Sequence, residues 1–129
     1  MKFTIKERRF LEANELCRLA TVYPDGRPHV VPVSYIFRES LFYIATDYGT
    51  RKFKNIRFNN KVALVVDMYG PNTAVVVEGE ASIIEKGLEF KKIYKHFYER
   101  FSWVKMEPWD EGEAPFIVVK PIRKISWGL

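Results

Sequence analysis

The sequence is short of several things, and each shortage excludes something. Its 129 residues contain one cysteine, Cys17. An internal disulfide and a Cys-rich zinc site are therefore out of reach. A lone thiol fits a reducing compartment, so the expected location is the cytoplasm. Histidine is limited to His29 and His96, with no HxxxH pair and no adjacent carboxylate pattern, and no metal site is expected. Apolar runs such as Ala74-Val75-Val76-Val77 are a handful of residues long, whereas a spanning helix needs about 20. No membrane segment is expected. The opening stretch Met1 to Arg9 lacks the apolar centre of a secretory leader. There is no GxSxG elbow, no Walker A loop and no GxGxxG turn.

Hydrophobic residues make up 47%, aromatic residues 16% and charged residues 29%, a balance that excludes a disordered tail. The length suits one domain spanning residues 1–129. The formal net charge is +5. Such an excess attracts anions, whether nucleic acid, anionic lipid or a phosphorylated small molecule, or it is simply a solvated basic surface.

Turn signals recur at short intervals: Tyr23-Pro24-Asp25-Gly26, Arg38-Glu39-Ser40, Tyr69-Gly70-Pro71-Asn72 and Glu111-Gly112-Glu113-Ala114-Pro115. Between them the patterning predicts a helix over 6–16 and strands over 17–23 and 27–37. A strand follows over 41–46, then a helix over 50–60 and strands over 61–67 and 73–84. Residues 86–101 read as the clearest helix. There Phe90, Ile93, Tyr94, Phe97, Tyr98 and Phe101 form one apolar stripe, a pattern of core packing rather than of a cofactor box. A last strand begins at Phe116 and is expected to be interrupted at Pro121. Hairpin order makes this an α+β, mainly antiparallel fold, and the sheet can close into a barrel. Pro32, in mid-strand, calls for an edge, a bulge, or something other than a strand alongside. Cys17 reads as a buried small apolar residue rather than a nucleophile.

The chemistry concentrates in Ala45-Thr46-Asp47-Tyr48-Gly49-Thr50-Arg51-Lys52-Phe53-Lys54-Asn55. A strand ends, Gly49 turns the chain, and Thr50 is a natural N-cap. Arg51 and Lys52 then occupy a first helical turn, where the macrodipole favours acids instead. An anion there reverses the penalty, accepting bonds from free backbone N–H groups, the Thr50 hydroxyl and both cations. The other reading is that both side chains fan out into water. Lys or Arg at 51, 52, 54, 57 and 61 also suits a phosphate-tracking nucleic-acid patch. However, the aromatics sit at core spacings and no nucleic-acid motif occurs, so no nucleic-acid partner is expected. No residue stands out as an acid, base or nucleophile, and a cofactor would have to carry any reaction.

Three segments together resemble the pyridoxamine 5′-phosphate oxidase-like, FMN-binding split β-barrel family. They are Leu19-Ala20-Thr21-Val22 with Asp25 to Val33, then Leu41 to Thr46, then Thr50 to Ile56. The likeness continues through Lys61 to Val66 and Val75 to Ala81, covering roughly residues 8–85. It implies a six-stranded split β-barrel with short flanking helices, a homodimer, and flavin at the subunit interface. It implies that Thr50, Arg51 and Lys52 hold the cofactor phosphate. The strand through Val30, Val31, Pro32 and Val33 would lie beside the isoalloxazine ring, with Thr46 touching ring or ribityl chain. Asn55 is a further candidate contact. Trp127 would either reach the partner's flavin or pack in the dimer. The C-terminal stretch Arg123-Lys124-Ile125-Ser126-Trp127-Gly128-Leu129 lacks the Arg-x-His that family members acting on vitamin B6 use, so that substrate is not assigned. The resemblance leaves an FMN-dependent oxidoreductase of a small molecule as the leading expectation. The alternatives are an F420-dependent reductase and a non-catalytic flavin or nucleotide carrier.

Overall fold

The computed structural model describes residues 1–129. Helix α1 (Ile5–Ala13) opens with a capping box: the Thr4 hydroxyl accepts the Glu7 N–H at 3.1 Å, and the Glu7 carboxylate accepts the Thr4 N–H at 2.8 Å. It stops three residues short of the predicted 16. Asn14 leaves the helix in an extended conformation and donates its side-chain amide to the Phe10 carbonyl at 2.8 Å, a local bond that competes with another helical turn.

Strands β1 (Leu16–Val22), β2 (Pro28–Arg38) and β3 (Leu41–Ala45) follow, joined by hairpins. Then come α2 (Arg51–Phe58), β4 (Lys61–Met68), β5 (Thr73–Ile84), α3 (Gly87–Arg100), α4 (Ser102–Met106) and β6 (Phe116–Trp127). All pairings are antiparallel, and the strands close into a barrel in the order β1-β2-β3-β6-β5-β4. The α+β class and the six-stranded barrel with short helices are as expected.

The barrel interior is filled by alternate residues of each strand, among them Leu19, Tyr35, Phe42, Ile44, Val66, Val75 and Val77. The stripe of α3 packs outside, with Phe90, Ile93 and Phe97 against Tyr43, Ile84 and Phe116. Cys17 is fully buried among the barrel's apolar residues, and burial pushes its thiol up to about 12, so it is no nucleophile.

Two elements depart from the sequence reading. β6 does not stop at Pro121 but continues to Trp127, because a bulge opposite Glu78 and Gly79 absorbs the irregularity. Gly79 is required there, since a Cβ would collide with the Lys120 carbonyl. Helix α4 was not anticipated at all. It is one short turn anchored by the fully buried Val104.

Candidate cofactor site

The site begins where two strands part. β2 and β3 pair only between Tyr35–Arg38 and Leu41–Ile44. Beyond that point the Thr46 N–H turns toward the Pro115 carbonyl at 3.3 Å, so the chain stays with β6 and leaves β2. Residues 28–34 of β2 therefore keep β1 on one side and have no strand on the other. The Tyr35 N–H donates to the Glu15 carbonyl at 3.0 Å, which sets the alternation. Val31 and Val33 aim their backbone groups at β1. The N–H groups of Val30 and Ser34, and the carbonyls of Val30 and Pro32, face the open edge. Pro32 thus loses no ladder bond, because its missing N–H falls on the open side. Of the side chains, Val31 and Val33 point inward, whereas Val30, 63% exposed, and Pro32 face out.

The chain leaving β3 turns through residues 46–50 into the first turn of α2. The Thr50 hydroxyl accepts the Phe53 N–H at 3.4 Å, donates to the Asp47 carbonyl at 2.9 Å, and lies 3.0 Å from the Thr46 hydroxyl. Its own proton goes to Asp47, so Thr46 donates to Thr50. The Thr50 hydroxyl is thus engaged within the turn. The N–H groups of Arg51 and Lys52 have no acceptor, as helix geometry dictates. No acidic residue occupies this turn, and none of Arg51, Lys52, Lys54 and Arg57 has a carboxylate within 4.0 Å. Lys52 is half-buried. Burial pushes its ammonium below the usual lysine range, against a smaller opposing pull from Asp47. Arg51 is braced by Tyr23, its guanidinium 5.0 Å from the ring centroid, and Arg27 lies 5.2 Å from the same ring.

The family model for pyridoxamine 5′-phosphate oxidase matches residues 3–124. The chain belongs to that family. A 5a,11a-dehydrotetracycline/5a,11a-dehydrooxytetracycline reductase of Streptomyces rimosus is 41% identical over 96 residues, which is 67% of this chain and 68% of that protein. A FAD-binding protein of Mesorhizobium loti has the same fold, with a TM-score of 0.77 at 24% identity over 96% of this chain and 93% of its own. So does an F420 reductase, with a TM-score of 0.71 at 23% identity, covering 92% of this chain and 94% of that one.

Within this member of the pyridoxamine 5′-phosphate oxidase family, the residues singled out from sequence do not all converge. Val30 to Val33 line the parting of β2 from β3; Thr46, Thr50, Arg51 and Lys52 gather at the turn that follows it. Asn55 lies behind them. It is fully buried, its amide donates to the Thr21 hydroxyl at 3.0 Å, and its carbonyl oxygen has no partner. It holds α2 on β1 and does not open onto the turn. Trp127 lies at the far end of β6 from Phe116, which pairs with Ala45, a separation on the order of 30 Å along the strand. One chain alone does not bring it to the cluster. Its indole N–H donates to Asn72 at 3.2 Å, and the ring is 44% exposed.

Sequence reasoning missed Tyr23 and His29. Thr21 and His29 pair across the β1–β2 ladder, and Tyr23 meets the His29 ring edge-on at 5.6 Å. His29 Nδ1 is buried and unpartnered. The odd-position face of β2 shared by His29 and Val31 was the available signal. A cleft of about 450 Å³ was also missed. It is walled on one side by Ala45, Thr46, Asp47 and Lys52, and on the other by α4 and the loop after it. A larger cleft of about 520 Å³ between α1, α3 and β2 lies apart from all these residues. Its Arg100 is already bound to Glu15 at 3.1 Å and to the carbonyls of Glu12 and Asn14.

Proposed function

We propose that this protein is an FMN-binding oxidoreductase of a small molecule, working as a homodimer. One observation carries the reading: Lys52 is a half-buried, unpaired cation beside free N–H groups at a helix start that lacks any acid. That arrangement is unfavourable by itself and becomes favourable when a phosphate supplies the counter-charge. Arg51 and Lys52 would hold the phosphate, and the Thr46–Thr50 hydroxyl pair would fix the turn that presents them. The open edge of β2 offers backbone donors and acceptors to a flat, hydrogen-bonding ring, and the outward side chains of Val30 and Pro32 offer it apolar contact. A bound flavin supplies hydride transfer, and the chain's task is to bind, orient and shield it. The 41% identical relative is a reductase, which agrees with a redox role.

The dimer is supported by the barrel's outer face. Two rows cross five strands there: Pro32, Arg18, Val65, Val76 and Ile125, then Val30, Ala20, Ala63, Glu78 and Arg123. Of the apolar members, Val30 at 63% and Ile125 at 62% stay open to solvent, and Ala20, Ala63, Val65 and Val76 are half-buried. A sheet face this apolar is normally covered. Trp127 ends β6 on this same face and is 44% exposed, so a partner seated there would cover it.

The test is direct. Replacing both Arg51 and Lys52 with Ala is expected to weaken FMN binding by several kcal/mol in total, at about 1.5–3 kcal/mol for each charged hydrogen bond. Riboflavin, which lacks the phosphate, should bind the unaltered protein more weakly and be nearly indifferent to the change. Equal losses for FMN and riboflavin would refute the phosphate assignment. F420 carries a phosphate too and would use the same cations. Its absorbance, at shorter wavelength than the flavin band, identifies it in the purified protein.

A further inference from the structure

Helix α4 brings a second wall to the cofactor turn. The cleft of about 450 Å³ shares Thr46 and Lys52 with the proposed cofactor site, and its far side carries Trp103, Glu107 and Glu113. The Trp103 indole is 40% exposed and lies parallel to Trp109, with centroids 6.2 Å apart and planes 4° from parallel. Trp109 is fixed in turn. Its backbone N–H donates to the Tyr94 hydroxyl and its indole N–H to the Ala114 carbonyl, each at 3.2 Å. Trp103 is thus a braced aromatic surface rather than a loose side chain. Such a surface recognises another flat ring by stacking, and a cation above it gains further attraction.

The charges of the cleft point the same way. Asp47, Glu107 and Glu113 line it, and none has a cation within 4.0 Å. Glu113 accepts the Asp110 N–H at 2.6 Å, which positions the carboxylate without neutralising it. Lys52 is the one cation in the wall. Once a phosphate occupies Lys52, the cleft presents an aromatic surface ringed by net negative charge.

We propose that this cleft is a ligand subsite at the phosphate end of the cofactor site and that it selects a planar ring bearing a positive charge over an anionic one of the same shape. The inference rests on the flavin reading, because a phosphate held by Lys52 is what leaves the cleft net negative. The probes are N-methylquinolinium and 2-naphthoate, flat rings of similar size and opposite charge. Their binding is followed by tryptophan quenching with and without FMN, and FMN affinity is measured separately by flavin fluorescence. In the FMN-loaded protein the cation should bind at least roughly tenfold tighter than the anion. Glu107→Gln, at an exposed position, should reduce that preference several-fold, and Trp103→Ala should weaken both probes, with FMN affinity unchanged in each variant. Equal binding of the two probes, or a preference untouched by Glu107→Gln, overturns the subsite. FMN binding without a cation preference sinks the subsite alone. A cation preference without FMN binding sinks the flavin reading and, with it, the part given to a phosphate on Lys52.

Discussion

Lys124 and Lys52 are both drawn partly out of water, and they are treated in opposite ways. The Lys124 ammonium donates to Glu7 at 2.6 Å, and the Ser126 hydroxyl donates to the other oxygen of the same carboxylate at 2.7 Å. Glu7 also accepts the Thr4 N–H, so the buried charge is fully answered within the chain. Burial alone would push the Glu7 carboxyl up. Lys124, Thr4 and Ser126 reverse this and hold it down to about 2. Lys52 has no such partner, and burial pushes its charged form the unfavourable way. A buried cation with a complete partner set ties α1 to β6. A buried cation with none is the arrangement expected where a ligand brings the counter-charge.

The comparison can be broken first at Glu7. Glu7→Gln leaves Lys124 withdrawn from water without its carboxylate and should cost about 3–5 kcal/mol of stability, read from denaturant unfolding. FMN affinity should not move. A loss under about 1 kcal/mol would mean that Lys124 is no better anchored than Lys52. The pH dependence gives the same contrast a sign. Glu7 titrates at about 2 in the folded chain against an ordinary value of 4.5. A depressed carboxyl contributes stability that is complete above the unfolded value and is lost as pH falls through the folded one. About 3 kcal/mol should therefore disappear between roughly pH 5 and pH 2. The Gln variant should show a flatter acid limb over that window. Parallel limbs in the two proteins would contradict the pairing.

Lys52→Met should produce the opposite pattern. FMN binding should weaken by about 1.5–3 kcal/mol, roughly 10- to 150-fold, measured by flavin fluorescence titration. Stability without ligand should hold or rise by up to about 1 kcal/mol, because the change removes a charge that burial disfavours. A variant that unfolds more easily yet binds FMN normally would show that Lys52 is a structural residue like Lys124.

The two lysines also mark what the sequence discloses. The Thr50-Arg51-Lys52 turn was legible because its signals are local: a turn glycine, an N-cap, and cations where a helix dipole disfavours them. The barrel was legible because turn residues and alternation are local too. The Glu7–Lys124 pair joins residues 117 apart, and no short-range pattern announces it. The continuation of β6 past Pro121 depends on Gly79 in another strand, so a proline that reads as a stop is accommodated by its neighbour. Helix α4 is too short to show a period, and its role depends on where Trp109 is pinned. The Asn55 amide is held by Thr21, 34 residues away, while its buried carbonyl oxygen stays unpartnered, an arrangement with no local signature. What was missed is tertiary in each case.

The smallest expected effect tests the open edge on which the flavin reading depends. Residue 32 faces Arg18 at a position where backbone groups point away from β1, so its N–H takes no part in the ladder. Pro32→Ala adds a donor on the open side and removes only the proline's restriction of the unfolded chain. It should destabilise by less than about 1 kcal/mol. The new N–H would lie along the edge proposed to face the flavin ring, so the spectrum of bound FMN should shift while the affinity due to the phosphate stays put. A clear gain of stability would instead show that the restored N–H finds a carbonyl across the edge, as it would inside a complete ladder. β2 would then have a strand on both sides along its whole length, and no backbone edge would remain for a ring to meet.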